Sequence, residues 1–76
     1  MELNATTFLN MSLCHFHLGD WLKSVSKATE SLKNKKTIKA YYRRAKAYEK
    51  LNDFERAVQD MTAAVKLDPS DTQDIQ

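Results

Sequence analysis

Residues 17–21 read His-Leu-Gly-Asp-Trp, and residues 50–54 read Lys-Leu-Asn-Asp-Phe, 33 positions later. In each stretch a leucine precedes a residue that tolerates left-handed backbone, and an aspartate and an aromatic residue follow. Gly or Asn in this place ends a helix, and the aspartate after it caps the start of the next one. The two stretches therefore predict two helical hairpins, each with a tight turn, related by an internal repeat.

Four helical segments follow from this repeat and from the apolar spacing around it. We predict helices over roughly 3–18, 21–33, 38–51 and 54–67. Thr37 is placed to cap the third helix, and Pro69 cannot continue the fourth. The first helix holds apolar residues too densely for a single stripe, so we expect two of its faces to be buried. No strand-like alternation is present, and the predicted fold is all-α, with four antiparallel helices in two hairpins.

The repeat also predicts the division of the chain. Residues 1–36 form the first hairpin, residues 37–70 the second, and residues 71–76 a polar tail or the start of a further helix. Helix axes within a hairpin lie about 8–10 Å apart, so small residues are expected where the helices cross. These small residues are Ser12, Ser24, Ala45 and Ala57.

Most other apolar residues are assigned to packing, because their spacing suits the interior of stacked hairpins. Between the hairpins we expect the aromatic residues Phe8, Trp21, Tyr41 and Phe54. On the inner side of the fourth helix we expect Ala57, Val58, Met61, Ala64, Val65 and Leu67.

The composition excludes several classes of protein. A net charge of +2 is too small to indicate nucleic-acid binding, and exposed aromatics do not interleave with the basic residues. The longest apolar runs are far shorter than the ~18 residues of a membrane span, and no signal peptide opens the chain. The single Cys14 cannot form an internal disulfide, which fits a reducing compartment. We expect a cytoplasmic protein that binds neither membranes nor nucleic acid.

Few residues carry the chemistry of a catalytic or metal site. Cys14 and His17 are three positions apart, but structural zinc needs about four ligands and the sequence has no second cluster. Cys14 is expected to be a small buried residue. Ser24 and Ser31 have no base near them in sequence, and neither a Gly-rich loop nor a pair of acids stands out. We therefore predict no metal, no cofactor and no enzymatic activity.

A period near 34 residues with helix, tight turn and helix resembles the tetratricopeptide repeat. In the second half the matching positions are Tyr41, Ala45, Tyr48, Ala57, Ala64 and Pro69. In the first half they are Phe8, Ser12, Gly19, Trp21, Ser24 and Ala28. The first half departs at Ser31, where Ala is usual, and at Lys36, where Pro is usual, and it is one residue short before the next repeat. The resemblance covers residues 5–70 and implies a right-handed α-solenoid fragment, whose first helix in each hairpin lines a concave surface.

Lys-Ala-Tyr-Tyr-Arg-Arg-Ala at residues 39–45 resembles the dicarboxylate-clamp version of the repeat, found in co-chaperones and large immunophilins of cytosolic heat-shock chaperones. In that subfamily a Lys and an Arg one turn apart, with an Asn from the preceding repeat, hold the C-terminal carboxylates of a peptide ending in Glu-Glu-Val-Asp. The matching positions here are Lys39, Arg43 and Asn10. Ammonium, guanidinium and amide groups all donate hydrogen bonds to carboxylates. The subfamily's full clamp adds a Lys and an Asn from an earlier repeat, so the resemblance implies two of three repeats and three of five clamp positions.

The basic residues of the third helix extend this candidate site. Lys39, Arg43, Lys46 and Lys50 recur at spacings of 4, 3 and 4, which places them on one helix face. The resemblance also implies that Lys46 and His17 lie on the groove side, near the upstream residues of the peptide. We predict a module that binds the acidic C-terminal tail of a heat-shock chaperone. The alternative is a scaffold segment that binds another protein element, with the basic face incidental.

Exposed apolar surface is expected at both ends of so short a stack, because each hairpin cannot bury its apolar face alone. The first helix in particular has more apolar residues than one neighbour covers. We therefore also expect the chain to associate with itself, either end to end or by exchange of a helix across the loop at residues 34–36.

Overall fold

The computed structural model describes residues 4–67, which form four α-helices. They are α1 (Ala5–His17), α2 (Trp21–Asn34), α3 (Ile38–Lys50) and α4 (Phe54–Leu67). The prediction of an all-α fold is confirmed, since this part of the chain contains no strand. The predictions for Leu3, for Pro69 and for residues 71–76 lie outside the described residues.

Local side chains set where the helices begin. Before each helix a polar side chain accepts a hydrogen bond of 3.0–3.3 Å from the backbone N–H three positions on. These N-terminal caps are Asn4, Asp20, Thr37 and Asp53. Because such a cap satisfies a backbone donor that has no partner within the helix, it fixes the start of the helix. Asn4 was not predicted as a cap, and α1 begins at Ala5 rather than at Leu3.

The two turns within the hairpins contain the left-handed residues that the sequence predicts. Gly19 has φ +79° and Asn52 has φ +62°. The loop between the hairpins is shorter than expected, because α2 continues through Asn34 and leaves residues 35–37 as the connection. Ser31 stands where the repeat usually has Ala, and its hydroxyl donates a 2.8 Å hydrogen bond to the carbonyl oxygen of Ala5. This substitution therefore adds a bond between the end of α2 and the start of α1.

The two hairpins repeat with an exact offset of 33 residues. α3 begins and ends 33 positions after α1, and α4 does so after α2. Each residue of the first hairpin consequently has a counterpart in the second, and differences between the two environments can be assigned residue by residue.

Small residues occupy the helix crossings, as predicted. Ser12 and Ser24 are fully buried, and each hydroxyl donates to the other residue's carbonyl oxygen, at 2.7 Å and 2.9 Å. Their counterparts Ala45 and Ala57 are also buried. The first crossing is therefore joined by reciprocal hydrogen bonds, whereas the second depends on apolar contact alone.

α3 is the central helix, because it contacts α1, α2 and α4. Its Arg44 forms a bidentate pair with Asp60 of α4: Nε lies 2.8 Å from Oδ2 and Nη2 lies 2.7 Å from Oδ1. The same guanidinium donates from Nη1 to Thr29 Oγ1 of α2 at 3.2 Å. One side chain thus joins three helices.

The Arg44–Asp60 pair is largely removed from water. The Arg44 side chain is 21% exposed and that of Asp60 is 7% exposed. The hydrogen bonds to Asp60 raise the pKa of Arg44, against the desolvation that burial imposes. A raised arginine pKa contributes stability that is fully present below the pKa of unfolded arginine, so this contribution is constant across ordinary pH. The pair was not predicted from the sequence.

Several residues assigned to the core are exposed. On α4 these are Val58, Met61, Val65 and Leu67, and Phe54 at the start of the helix is 59% exposed. α4 packs on α3 alone among the described helices, which leaves this side of α4 open. The other interhelix aromatics, Phe8, Trp21 and Tyr41, are half-buried.

The first helix is also less buried than expected. Ser12 is its only buried residue, so the prediction of two buried faces is wrong. Cys14 is exposed, contrary to the prediction that it is buried. Among the described helices α1 contacts α2 and α3 alone, and the exposure of Cys14 means that neither of them covers its side chain.

Candidate functional site

A cavity between α1 and α3 brings together three of the predicted site residues. It has a volume of about 360 Å³ and will be called the α1–α3 cavity. Its lining consists of Thr6, Leu9, Asn10, Leu13, Lys39, Tyr42 and Arg43. Asn10, Lys39 and Arg43 come from different hairpins and meet because α3 packs directly against α1.

The local fold explains how these polar groups reach the cavity. Lys39 lies in the first turn of α3, just after the cap at Thr37, and Arg43 follows one helical turn later on the same side. Asn10 is exposed in the middle of α1. The three side chains therefore offer an ammonium, a guanidinium and an amide to one space.

The electrostatic character of the α1–α3 cavity is positive. Its lining contains two cations and no carboxylate. Within residues 4–67 neither Lys39 nor Arg43 forms a salt bridge. The remaining lining is mostly apolar, from Leu9, Leu13 and Tyr42. Such a cavity suits a ligand with a carboxylate and an adjoining aliphatic group, because the two cations have no acidic partner and apolar side chains lie beside them.

The other predicted site residues lie elsewhere. Lys46 follows Tyr42 by one helical turn on α3 but does not line the α1–α3 cavity. Its ammonium is 3.4 Å from Glu49 and 5.7 Å from the centre of the Tyr42 ring. Lys50 lies 5.6 Å over the ring of Trp21. His17 is exposed at the end of α1 and does not line the α1–α3 cavity. The four cations predicted to form one row therefore have three different environments. Lys39 and Arg43 line the α1–α3 cavity, Lys46 pairs with Glu49, and Lys50 lies over Trp21.

A second surface, not predicted as a site, lies between α3 and α4. Two adjoining depressions of about 310 and 350 Å³ share Met61 and Val65. We call them the α3–α4 trough. Its apolar lining consists of Ile38, Tyr42, Ala45, Phe54, Ala57, Val58, Met61, Ala64 and Val65. Lys39 and Tyr42 line both this trough and the α1–α3 cavity, so the two surfaces adjoin along one ridge.

Residues 4–67 contain neither a cluster of metal-ligating side chains nor a helix suited to span a membrane. This part of the chain holds no cluster of three or more His, Cys, Asp or Glu side chains arranged for a metal ion. None of its four helices combines the length and the apolar character needed to cross a bilayer.

Comparison with known proteins bears on the second hairpin. No solved structure matches the chain. A family model described as "Tetratricopeptide repeat" matches residues 38–71, a range that includes Lys39, Arg43 and Lys46 but neither Asn10 nor His17. The match begins at the first residue of α3 and spans all of α4. Residues 38–71 are therefore a tetratricopeptide repeat, a helical hairpin of the kind that builds protein-binding surfaces.

Proposed function

We propose that this chain binds the acidic C-terminal peptide of a cytosolic heat-shock chaperone, of the Glu-Glu-Val-Asp type, through a carboxylate clamp. Asn10, Lys39 and Arg43 hold the terminal carboxylates in the α1–α3 cavity. The observation that carries the proposal is the convergence of these three donors in a cavity without an acidic side chain.

The clamp chemistry assigns a role to each donor. The Arg43 guanidinium offers a fork of N–H groups that matches a carboxylate, and Lys39 adds a mobile point charge one turn away. The amide of Asn10 donates from the facing helix. Leu9 and Leu13 accommodate the aliphatic side chain next to the terminal residue. Lys46 and His17 act further out, on upstream residues of the peptide.

Single substitutions in the cavity test the proposal. A hydrogen bond to a charged group is worth about 1.5–3 kcal/mol, so Lys39→Ala and Arg43→Ala should each weaken peptide binding about tenfold or more. Lys50→Ala is the matched control, since it removes a cation from the same helix but from outside the cavity. Calorimetric titration with a Glu-Glu-Val-Asp peptide measures all three. Equal affinity for wild type and both cavity variants contradicts the clamp.

A second candidate function is a scaffold segment that binds another protein element. The exposed apolar residues of the α3–α4 trough favour it. The two functions differ in their dependence on the terminal carboxylate. If the clamp is correct, a peptide with an amidated C-terminus binds far more weakly than the free acid, and added salt weakens the free acid further. Indifference to amidation supports the scaffold.

A further inference from the structure

The α3–α4 trough has a counterpart on the first hairpin, 33 residues earlier. The most exposed apolar residues of the trough are Phe54, Val58, Met61 and Val65, which are 43–64% exposed. Their counterparts are Trp21, Val25, Ala28 and Leu32, all of which are buried or half-buried. The difference in exposure arises because α3 packs against α1 and α2, whereas no described helix packs in the same place on α3 and α4.

The way α3 covers the first hairpin shows what kind of helix fits the trough. Ala40 and Ala47, seven residues apart, are both 0% exposed. Arg44 lies between them on the same face and reaches Thr29 of α2. The contact face of α3 thus has a small residue at each end and a long side chain in the middle, which allows close approach of the helices.

The same face exists on α1 but is not covered. The counterparts of Ala40, Arg44 and Ala47 are Thr7, Met11 and Cys14. This face of α1 therefore also has a small residue at each end and a long side chain, the flexible and apolar Met11, in the middle. Thr7 and Met11 are half-buried and Cys14 is exposed. α1 also contains no Asp, Glu, Lys or Arg between Ala5 and His17. Such a helix brings no carboxylate, ammonium or guanidinium of its own into the trough. The charged residues in the lining of the trough are Lys39, Lys46 and Glu49, and the last two form a 3.4 Å ion pair.

We propose that two copies of this chain bind end to end, with α1 of one copy in the α3–α4 trough of the other. α1 occupies there the position that α3 occupies on the first hairpin. The contact is heterologous, so each copy keeps one free end and further copies add in the same direction. This association does not require the proposed carboxylate binding, but the two surfaces adjoin, because Lys39 and Tyr42 line both.

The exposed Cys14 provides a direct test on the unmodified chain, because it is the only cysteine. The rate of its reaction with an aromatic disulfide reagent is measured at increasing protein concentration. Sedimentation velocity on the same samples measures the extent of association. End-to-end binding covers Cys14, so its reaction rate falls several-fold as the sedimentation coefficient rises. Two results overturn the proposal: a monomer at all concentrations, or association that leaves the reaction rate of Cys14 unchanged, as trough-to-trough pairing does.

Two complementary variants test the direction of the contact. Val65→Lys places a charge in the trough and leaves α1 intact, whereas Cys14→Lys does the reverse; both positions are exposed, so circular dichroism should show retained helices. Each variant alone should be monomeric, and their mixture should form a 1:1 dimer that grows no further. The thiol of the Val65→Lys chain should become protected only in the mixture. Gln59→Lys, on an exposed position of α4 outside the trough, is the control and should still associate. Self-association of Cys14→Lys alone contradicts the proposal.

Discussion

The two residues of the Arg44–Asp60 ion pair should differ in how much their loss destabilises the fold. Arg44→Met leaves the carboxylate of Asp60 at 7% exposure without its guanidinium. Asp60→Leu leaves a guanidinium that is 21% exposed and still bonded to Thr29. Because the carboxylate is the more buried of the two groups, we expect loss of Arg44 to destabilise the fold more than loss of Asp60.

The expected losses of unfolding free energy follow from the burial of the charged group that each substitution leaves without its partner. Removing one partner of a buried ion pair costs about 3–5 kcal/mol of unfolding free energy, and we expect Arg44→Met to lie in this range. For Asp60→Leu we expect about 2–3 kcal/mol, because the remaining arginine reaches water and keeps one hydrogen bond. At roughly 0.05–0.15 kcal/mol per residue the whole chain is stable by only roughly 4–11 kcal/mol, so either loss is large. The double variant should cost less than either single one, since it leaves no buried charge.

Urea unfolding at neutral pH, followed by circular dichroism, measures these differences. Arg56→Met is the matched control: its pair with Asp53 has the same 2.8 Å length as the Nε contact of Arg44, but the Arg56 side chain is 64% exposed. We expect the control to change the unfolding free energy by about 0–1 kcal/mol. The reasoning is refuted if Asp60→Leu costs more than Arg44→Met, or if the double variant costs the sum of the two.

Two further substitutions test the packing and the turns. Ala57→Leu should lower the free energy of unfolding by about 1–3 kcal/mol, because Ala57 is buried where α4 crosses α3; a melting temperature equal to that of wild type would contradict this crossing. Asn52→Ala should destabilise the chain by about 1–2 kcal/mol because φ at this position is +62°, whereas Asn52→Gly should be neutral or stabilising; thermal melts of the two variants should therefore differ, and equal melts would show that the left-handed turn carries no strain.

Local signals predicted the helices well. Asp20, Thr37 and Asp53 act as caps, and Gly19 and Asn52 adopt the left-handed conformation, because each of these functions depends on the residue type and its immediate neighbours. The small residues at the crossings were predictable for a related reason, since the internal repeat places them at equivalent positions. Asn10, Lys39 and Arg43 could be placed near one another because the resemblance to a known repeat supplied the packing of α3 on α1.

The features that sequence reasoning missed depend on neighbours rather than on local pattern. Met61 and Val65 have the spacing of core residues, but exposure is decided by whether another helix packs on them. Cys14 is exposed for the same reason. The Arg44–Asp60 pair joins residues 16 positions apart, and charged residues are ordinarily assigned to the surface. The one available signal was an aspartate on the side of α4 that also carries buried alanines.

The order in which the helices contact one another has a consequence for folding. α4 contacts α3 alone, whereas α3 also contacts α1 and α2, so the described helices form a nearly linear series of nearest-neighbour interfaces. In such a series stability is close to a sum of terms for each unit and each joint, and opening begins at an end. Because Arg44 and Asp60 join α3 to α4, we expect loss of this ion pair to ease the detachment of α4 while the serine-linked first hairpin remains folded. Among the described helices, we therefore expect α4 to open locally at lower free energy than the first hairpin, before the cooperative unfolding of the whole.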